Sequence, residues 1–261
     1  MEAGSRHMSM LDKGLDIISL LAKSRQPLKI SEMADALQIP RTTVYRLIGS
    51  LENGGFVRRV GDGSAYFLSL KFLQIAEIVR ESLELRRIAV PLMERLRDDL
   101  NLAVHLVVRD GDEAVYVEKV ESKRPVRLFT QVGLRVPLHV TACPRILLAY
   151  CSDEEINKYV ARIKMVKYTP ATVADPVALW ERIRQIRRTG YSVAWGELEP
   201  ETAAVAVPVY NHIDEVVASL SLAGPEWYFK HEETEAVASR LKQYGIQMSR
   251  ELGYMGAGRT A

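Results

Sequence analysis

Little in this sequence announces a function, and each shortage removes a class of protein. Only two cysteines, Cys143 and Cys151, occur in 261 residues, too few for a disulfide scaffold or a cysteine-built zinc site in a chain of this length. No uncharged apolar run approaches the ~18 residues of a membrane-spanning helix. The start, Met1 to Met8, lacks the apolar core of an export signal, and Gly4-Ser5-Arg6-His7-Met8 reads as a cloning scar, so residues 1–8 are set aside. A reduced, cytoplasmic protein is the simplest expectation. The glycine patterns of nucleotide-binding loops are missing, as are internal repeats and low-complexity tracts. The five histidines are scattered, so neither a metal nor another cofactor is expected. Formal net charge is only +2; a nucleic-acid partner therefore has to be argued from local clustering.

What remains is a chain of ordinary globular composition, 48% apolar and 26% charged, long enough for two domains. Ser9–Lys23 carries Leu11, Leu15, Ile18 and Ala22 at helical spacing. Ile30, Met33, Ala34 and Leu37 mark a second short helix over 28–37, and Pro40 suits the first position of a third. That third helix places Val44, Leu47, Ile48 and Leu51 on one face and stops at Asn53-Gly54-Gly55. Two β stretches follow, Phe56–Val60 and Ala65–Leu68, around Gly61-Asp62-Gly63-Ser64. These elements define a first domain, residues 9–70. A helical stretch from Leu70 to Arg87 has apolar residues on more than one face, as a linker that also packs on a second subunit would, and Pro91 is expected to open another helix.

The second domain, 88–257, opens with strands at Ala103–Val108, Ala114–Val120 and Val126–Val132. Helices follow around Val140–Tyr150, Asp153–Arg162 and Asp175–Thr189, then strands near Ala203–Tyr210 and Val216–Leu222 and a last helix from His231 to Leu252. Irregular alternation with hairpins argues for an α+β fold and against a doubly wound sheet.

The Pro40–Asn53 helix has the two faces a DNA-reading helix needs. Opposite its apolar stripe lie Arg41, Thr42, Thr43, Tyr45, Arg46 and Ser50, and the small Gly49 allows close approach. Arginine can grip guanine edges, and hydroxyls suit phosphates or bases. Arg58, Arg59 and Tyr66 on the hairpin would form a wing over adjacent phosphates. Residues 41–59 hold four arginines against one acid, Glu52. A winged helix-turn-helix on double-stranded promoter DNA follows. The competing reading is a metabolite-binding or enzymatic α+β protein whose winged helix serves dimerisation only.

Several segments together resemble the IclR family of bacterial regulators: Leu15–Ile18, Ile39–Leu47 and Gly55–Val57, then Pro137–Ala142, Thr189–Tyr191, Glu197–Pro200, Val207–Val209 and Ser221–Pro225. The resemblance implies a homodimer, or a dimer of dimers, acting as a repressor whose second domain binds a small-molecule effector in a cup formed by a curved antiparallel sheet. Carried over, the cup would include His139, Thr141, Ala142, Cys143, Ala194, Trp195, Ala204, Ser221 and Ala223. This chain departs from the family pattern at Pro144-Arg145 and at Ala194, Ala204 and Ala223. Alanines in place of polar contacts, with Trp195 beside them, predict a larger, more apolar, aromatic effector anchored by Thr141 and Ser221, since an unpartnered carboxylate would be costly to bury.

Other chemistry looks weak. His139 and Cys143 are four apart, but a strand-to-helix transition between them and the lack of an orienting acid argue against a nucleophile–base pair, so no catalytic residue is assigned. Cys143 and Cys151 read as inert thiols held apart by a helix. His105 reads as a core or interface histidine. Glu197, Glu199 and Glu201 alternate around Pro200 and read as a solvated loop, and Arg182, Arg184, Arg187 and Arg188 as an exposed basic face.

Overall fold

Ser9 starts the first helix, α1 (Met10–Ser24), through a capping box. Its hydroxyl accepts the Asp12 N–H at 3.1 Å while the Asp12 carboxylate accepts the Ser9 N–H at 2.9 Å. The structure, a computed structural model, describes residues 9–81, 84–124, 128–231 and 234–256, so the segment 1–8 lies outside it. The chain divides into two units, Met1–Ser82 and Leu83–Ala261.

In the first unit α1 is followed by β1 (Leu28–Lys29), α2 (Ile30–Leu37), α3 (Arg41–Asn53), β2 (Val57–Val60), β3 (Ala65–Leu68) and α4 (Lys71–Glu81), the strands pairing in the order β1-β3-β2. Ile17, Leu21, Met33, Val44, Ile48 and Val57 close the core. A left-handed Gly55 (φ 73°) ends α3, with the Phe56 N–H returning to the Leu51 carbonyl at 2.8 Å. One expectation needs correcting here. Leu28 and Lys29 are not the first helical turn; they pair with Tyr66 and Ala65 of β3.

The second unit runs α5 (Glu84–Leu100), β4 (Ala103–Asp110), β5 (Glu113–Val120), β6 (Arg135–Pro137), α6 (Ala142–Ala149), α7 (Asp153–Arg162), α8 (Pro176–Thr189), β7 (Ser192–Trp195), β8 (Thr202–Tyr210), β9 (Val216–Pro225), α9 (Glu226–His231) and α10 (Thr234–Glu251). A six-stranded antiparallel sheet, β6-β5-β4-β9-β8-β7, curves at bulges in β5 and β9, where Val117 and Val217 are the extra residues. One face packs on α5, α9 and α10 through Leu92, Leu96, Leu222, Phe229 and Leu241. The other packs on α6, α7 and α8 through Ile146, Ile156 and Ile183. The fold is thus α+β, with a helix-turn-helix unit followed by a curved-sheet domain.

Two expectations differ from the structure in this unit. Pro91 sits inside α5, because the stripe Leu85, Ile88, Ala89, Leu92, Leu96 runs through it at helical spacing and outweighs the lost amide. Residues 128–134 are loop where a strand over 126–132 was expected; 126 and 127 lie outside the described residues. The Lys119 ammonium takes the Leu128 and Thr130 carbonyls, at 3.2 and 2.6 Å, that a neighbouring strand would have taken. Among the described residues no helix is long and apolar enough to cross a membrane.

Candidate functional site

The recognition face of α3 is built as its periodicity requires. Val44 and Ile48 are buried, whereas Arg41, Thr42, Tyr45, Arg46 and Ser50 are exposed and Thr43 is half-buried. Tyr45 leaves 65% of its surface in water, so its ring and hydroxyl are accessible on this face. A side chain added at Gly49 would meet nothing within 4 Å, so this face is open. Arg58 is exposed on β2, while Arg59 grips Glu52 through Nε at 2.9 Å and Nη2 at 3.2 Å. The Ser50 hydroxyl donates to the Arg46 carbonyl at 3.1 Å, which leaves only its acceptor capacity for a partner. Tyr66 does not belong to the surface. It is 4% exposed and faces the core, because its neighbours on β3 alternate outward.

A narrow cavity opens between the curved sheet and the start of α6. Its space for the centre of a water-sized sphere is about 40 Å³, room for about three waters by that measure. Register explains its lining. His105 lies opposite Ser221, Ala223 opposite Ala204, and Ala204 opposite Ala194, so all project from one face of the sheet. Thr141 from the N-cap of α6 and Cys143 from its first turn join them, with Tyr116 from β5 and Leu128, Thr130, Glu197 and Glu199 from loops.

The polar groups here are held by one another. His105 Nε2 lies 2.8 Å from Thr130 Oγ1 and Nδ1 lies 3.5 Å from Ser221 Oγ. Burial, helped by the Lys119 charge, lowers its pKa to about 3, so the imidazole is neutral at physiological pH. The Cys143 thiol points to the Ser219 carbonyl at 3.8 Å, and burial pushes its pKa up to about 11, which disfavours the nucleophilic thiolate. Arg145 is fully buried and binds both Glu197 oxygens at 2.7 Å, with a further bond to the Val193 carbonyl at 3.1 Å. Glu197 also accepts the Thr141 N–H at 3.3 Å, and the Thr172 hydroxyl holds the Glu197 carbonyl at 2.6 Å. Thr141 adopts φ 59°, ψ −176°, a region nearly reserved for glycine that costs about 1–3 kcal/mol.

Of the residues expected in the cup, Thr141, Cys143, Ala194, Ala204, Ser221 and Ala223 come together. Ala142 is packed in the core beside them. Trp195 is on the wrong face: one step along β7 from Ala194 turns it to the opposite side, where its ring meets Phe229 at 6.3 Å. His139 turns to Tyr159, its Nδ1 2.8 Å from the phenol oxygen, so it neither lines the cavity nor partners Cys143. Glu197 is no solvated loop residue, and Arg187 no free cation; Arg187 donates to the Ala149 and Cys151 carbonyls and pairs with Asp153. The Arg145–Glu197 pair was missed, although an arginine within the apolar stretch Ala142–Ala149 is itself a signal for a buried counter-ion. Among the described residues no group of His, Cys, Asp and Glu is placed to hold a metal ion.

Comparison with known proteins gives this geometry its context. Residues 10–61 match the IclR helix-turn-helix domain, and residues 78–250 match the C-terminal domain of bacterial IclR transcriptional regulators. The HTH-type transcriptional regulator KipR of Bacillus subtilis is 39% identical over 227 residues, covering 87% of this chain and 90% of that protein. The IclR of Thermotoga maritima superposes with a TM-score of 0.76 at 29% identity, over 95% of this chain and all of that one. An IclR homologue of Microbacterium hydrocarbonoxydans, solved with 4-hydroxybenzoate, has the same fold, with a TM-score of 0.81 at 24% identity over 94% of this chain and 99% of that one. This chain belongs to the IclR family of HTH-type transcriptional regulators.

Proposed function

We propose that this protein is a cytoplasmic, promoter-binding repressor, active as a homodimer or dimer of dimers, whose operator affinity is set by a small molecule in the cavity beside α6. The face of α3 carries the reading: Arg41, Tyr45 and Arg46 stand exposed opposite the buried Val44 and Ile48, with Arg58 exposed on the adjoining hairpin. Arg41, Thr42, Thr43 and Arg46 meet base edges or phosphates, and Arg58 a flanking phosphate. Exposed Leu73, Ile75 and Ile78 on α4 support a subunit contact. Repression is the direct result of a dimer occupying promoter DNA and needs no surface for polymerase.

The cavity supports control without catalysis. Its only thiol is held protonated, and its histidine bonds to Thr130 and Ser221 and not to a nucleophile. Thr141, Ala194, Ala204, Ser221 and Ala223 contact the effector. A change in the spacing of paired recognition helices then releases DNA, for which a coupling of about 1–3 kcal/mol is enough. The Microbacterium homologue's ligand keeps an aromatic ring among the candidates, although the space, which Leu128 and Thr130 also line, is narrow.

The test is anisotropy with DNA from upstream of the protein's own gene and with scrambled DNA. Specific, salt-sensitive binding that Arg46→Ala abolishes is expected. Equal binding to both DNAs at every salt concentration would count against an operator there.

A further inference from the structure

Carboxylates, and among the described residues no cation, line the cavity: Glu197 within and Glu199 at its loop edge. The start of α6 is where a helix favours an anion, but Glu197 already occupies that place. Its Oε2 accepts the Thr141 N–H at 3.3 Å and its two oxygens take the Nη atoms of Arg145. Arg145 is committed to this pair and to the Val193 carbonyl, and its Nε is sealed from solvent without a partner. The next cation, Lys119, is spent on the Leu128 and Thr130 carbonyls and on Glu121 at 2.9 Å. Glu199 accepts the Phe129 N–H at 3.2 Å and retains acceptor capacity. The remaining polar lining, His105, Tyr116, Thr130, Thr141, Cys143, Thr202 and Ser221, is uncharged at neutral pH.

A carboxylate ligand would therefore meet the Glu199 carboxylate and no free cation, the Glu197 charge being balanced by Arg145, whereas a donor would find acceptors in the remaining lone pairs of both. We propose that the effector is a small amine or amide, neutral or cationic, whose N–H groups donate to Glu197 and Glu199, and not a carboxylate. This rests on the cavity being the effector site, and it departs from the anion that the end of α6 would otherwise select.

The full chain is titrated calorimetrically with two carbon skeletons, each in three forms: propionate, propionamide and propylamine, and benzoate, benzamide and benzylamine. The amide or amine of a skeleton is expected to bind at least about tenfold more tightly than its acid, the scale of one unfavourable charge contact in a partly buried site. Glu199→Gln, which leaves the Arg145 pair intact, is expected to shrink that ratio for the amine. Glu197→Gln is expected to shrink it further and is read only where circular dichroism shows a folded protein. Ala204→Phe, which fills the cavity, is expected to remove binding. An acid that binds more tightly than its amide and amine, and is lost in Ala204→Phe, overturns the proposal while keeping the cavity as the effector site. Binding that survives Ala204→Phe, or no binding by any of the six, overturns the site reading and the proposal together.

Discussion

Arg145 and Glu197 face each other in a two-pronged ion pair, both Nη–Oε distances 2.7 Å, with Arg145 wholly out of solvent and Glu197 5% exposed. The pair ties the first turn of α6 to the loop after β7, which also holds Gly196 and Glu197 through Thr169 and Thr172. The left-handed Thr141 is kept in place by the same carboxylate. The cavity wall is therefore fixed by charge as much as by packing.

Removing one partner of such a pair leaves a buried charge alone. Arg145→Met is expected to cost about 3–5 kcal/mol, and Arg145→Met with Glu197→Leu to recover much of it. All three tryptophans, Trp180, Trp195 and Trp227, lie in the second unit, so urea unfolding followed by tryptophan fluorescence reads that unit directly. With Glu197→Leu measured alone as well, a double-variant loss equal to the sum of the two single losses would mean that the two charges are not coupled.

The wing arginines are expected to differ. Arg58 is exposed, whereas Arg59 must leave Glu52 before it reaches a phosphate. Arg58→Ala should lower operator affinity and reduce the slope of log affinity against log salt by about one. Arg59→Ala should do less, and Glu52→Gln should raise affinity at low salt by freeing Arg59 and removing a negative charge. Anisotropy from 50 to 200 mM salt separates these outcomes; a larger loss from Arg59→Ala than from Arg58→Ala would reverse the assignment.

How far the sequence was legible follows from which interactions are local. Val44 and Ile48 recur at helical spacing and Gly54-Gly55 stops the chain, so α3 and its outward face were readable from neighbours alone. The hairpin was readable too, but the direction of Tyr66 was not, since it depends on which face of β3 meets α1 and α3. Ala194 and Ala204 were placed in the cup, while Trp195, one residue along, was placed there with them against the period of two that a strand imposes. The Arg145–Glu197 pair joins residues 52 apart in the chain, and no periodicity encodes a contact of that range. The loop at 128–134 reads as a strand by composition and is kept from being one by Lys119, a side chain on another element.

His105 makes stability depend on pH. Folded, it ionises at about pH 3; unfolded, it returns to about 6.5. A lowered histidine pKa means that the unfolded chain binds the extra proton between those values. Its contribution is therefore intact above about pH 6.5 and declines as pH falls, by at most about 1.4 kcal/mol per pH unit. Between pH 6.5 and 5, above the titration of most carboxylates, the wild type should lose stability more steeply than His105→Asn. Urea midpoints across that interval test it, and parallel slopes would show that His105 does not supply the dependence.

Gly245 sets two known effects against each other. It lies in the body of α10, where intrinsic propensity favours alanine over glycine by about 1 kcal/mol. A Cβ there, however, would stand 2.8 Å from Val207 Cγ2 and 3.3 Å from the Pro208 carbonyl. Val207 is buried and β-branched, so it has little rotamer freedom with which to retreat, and the carbonyl belongs to the sheet. Overpacking of this kind typically costs about 1–3 kcal/mol, enough to outweigh the propensity gain. Gly245→Ala should lower the urea midpoint of the second unit. Gly49→Ala is the control in α3, where the added methyl meets nothing within 4 Å; it should stabilise the first unit by about 0.5–1 kcal/mol, read by circular dichroism. Stabilisation by both substitutions would mean that α10 can shift away from the sheet, and that its close approach at Val207 is not what holds this glycine in place.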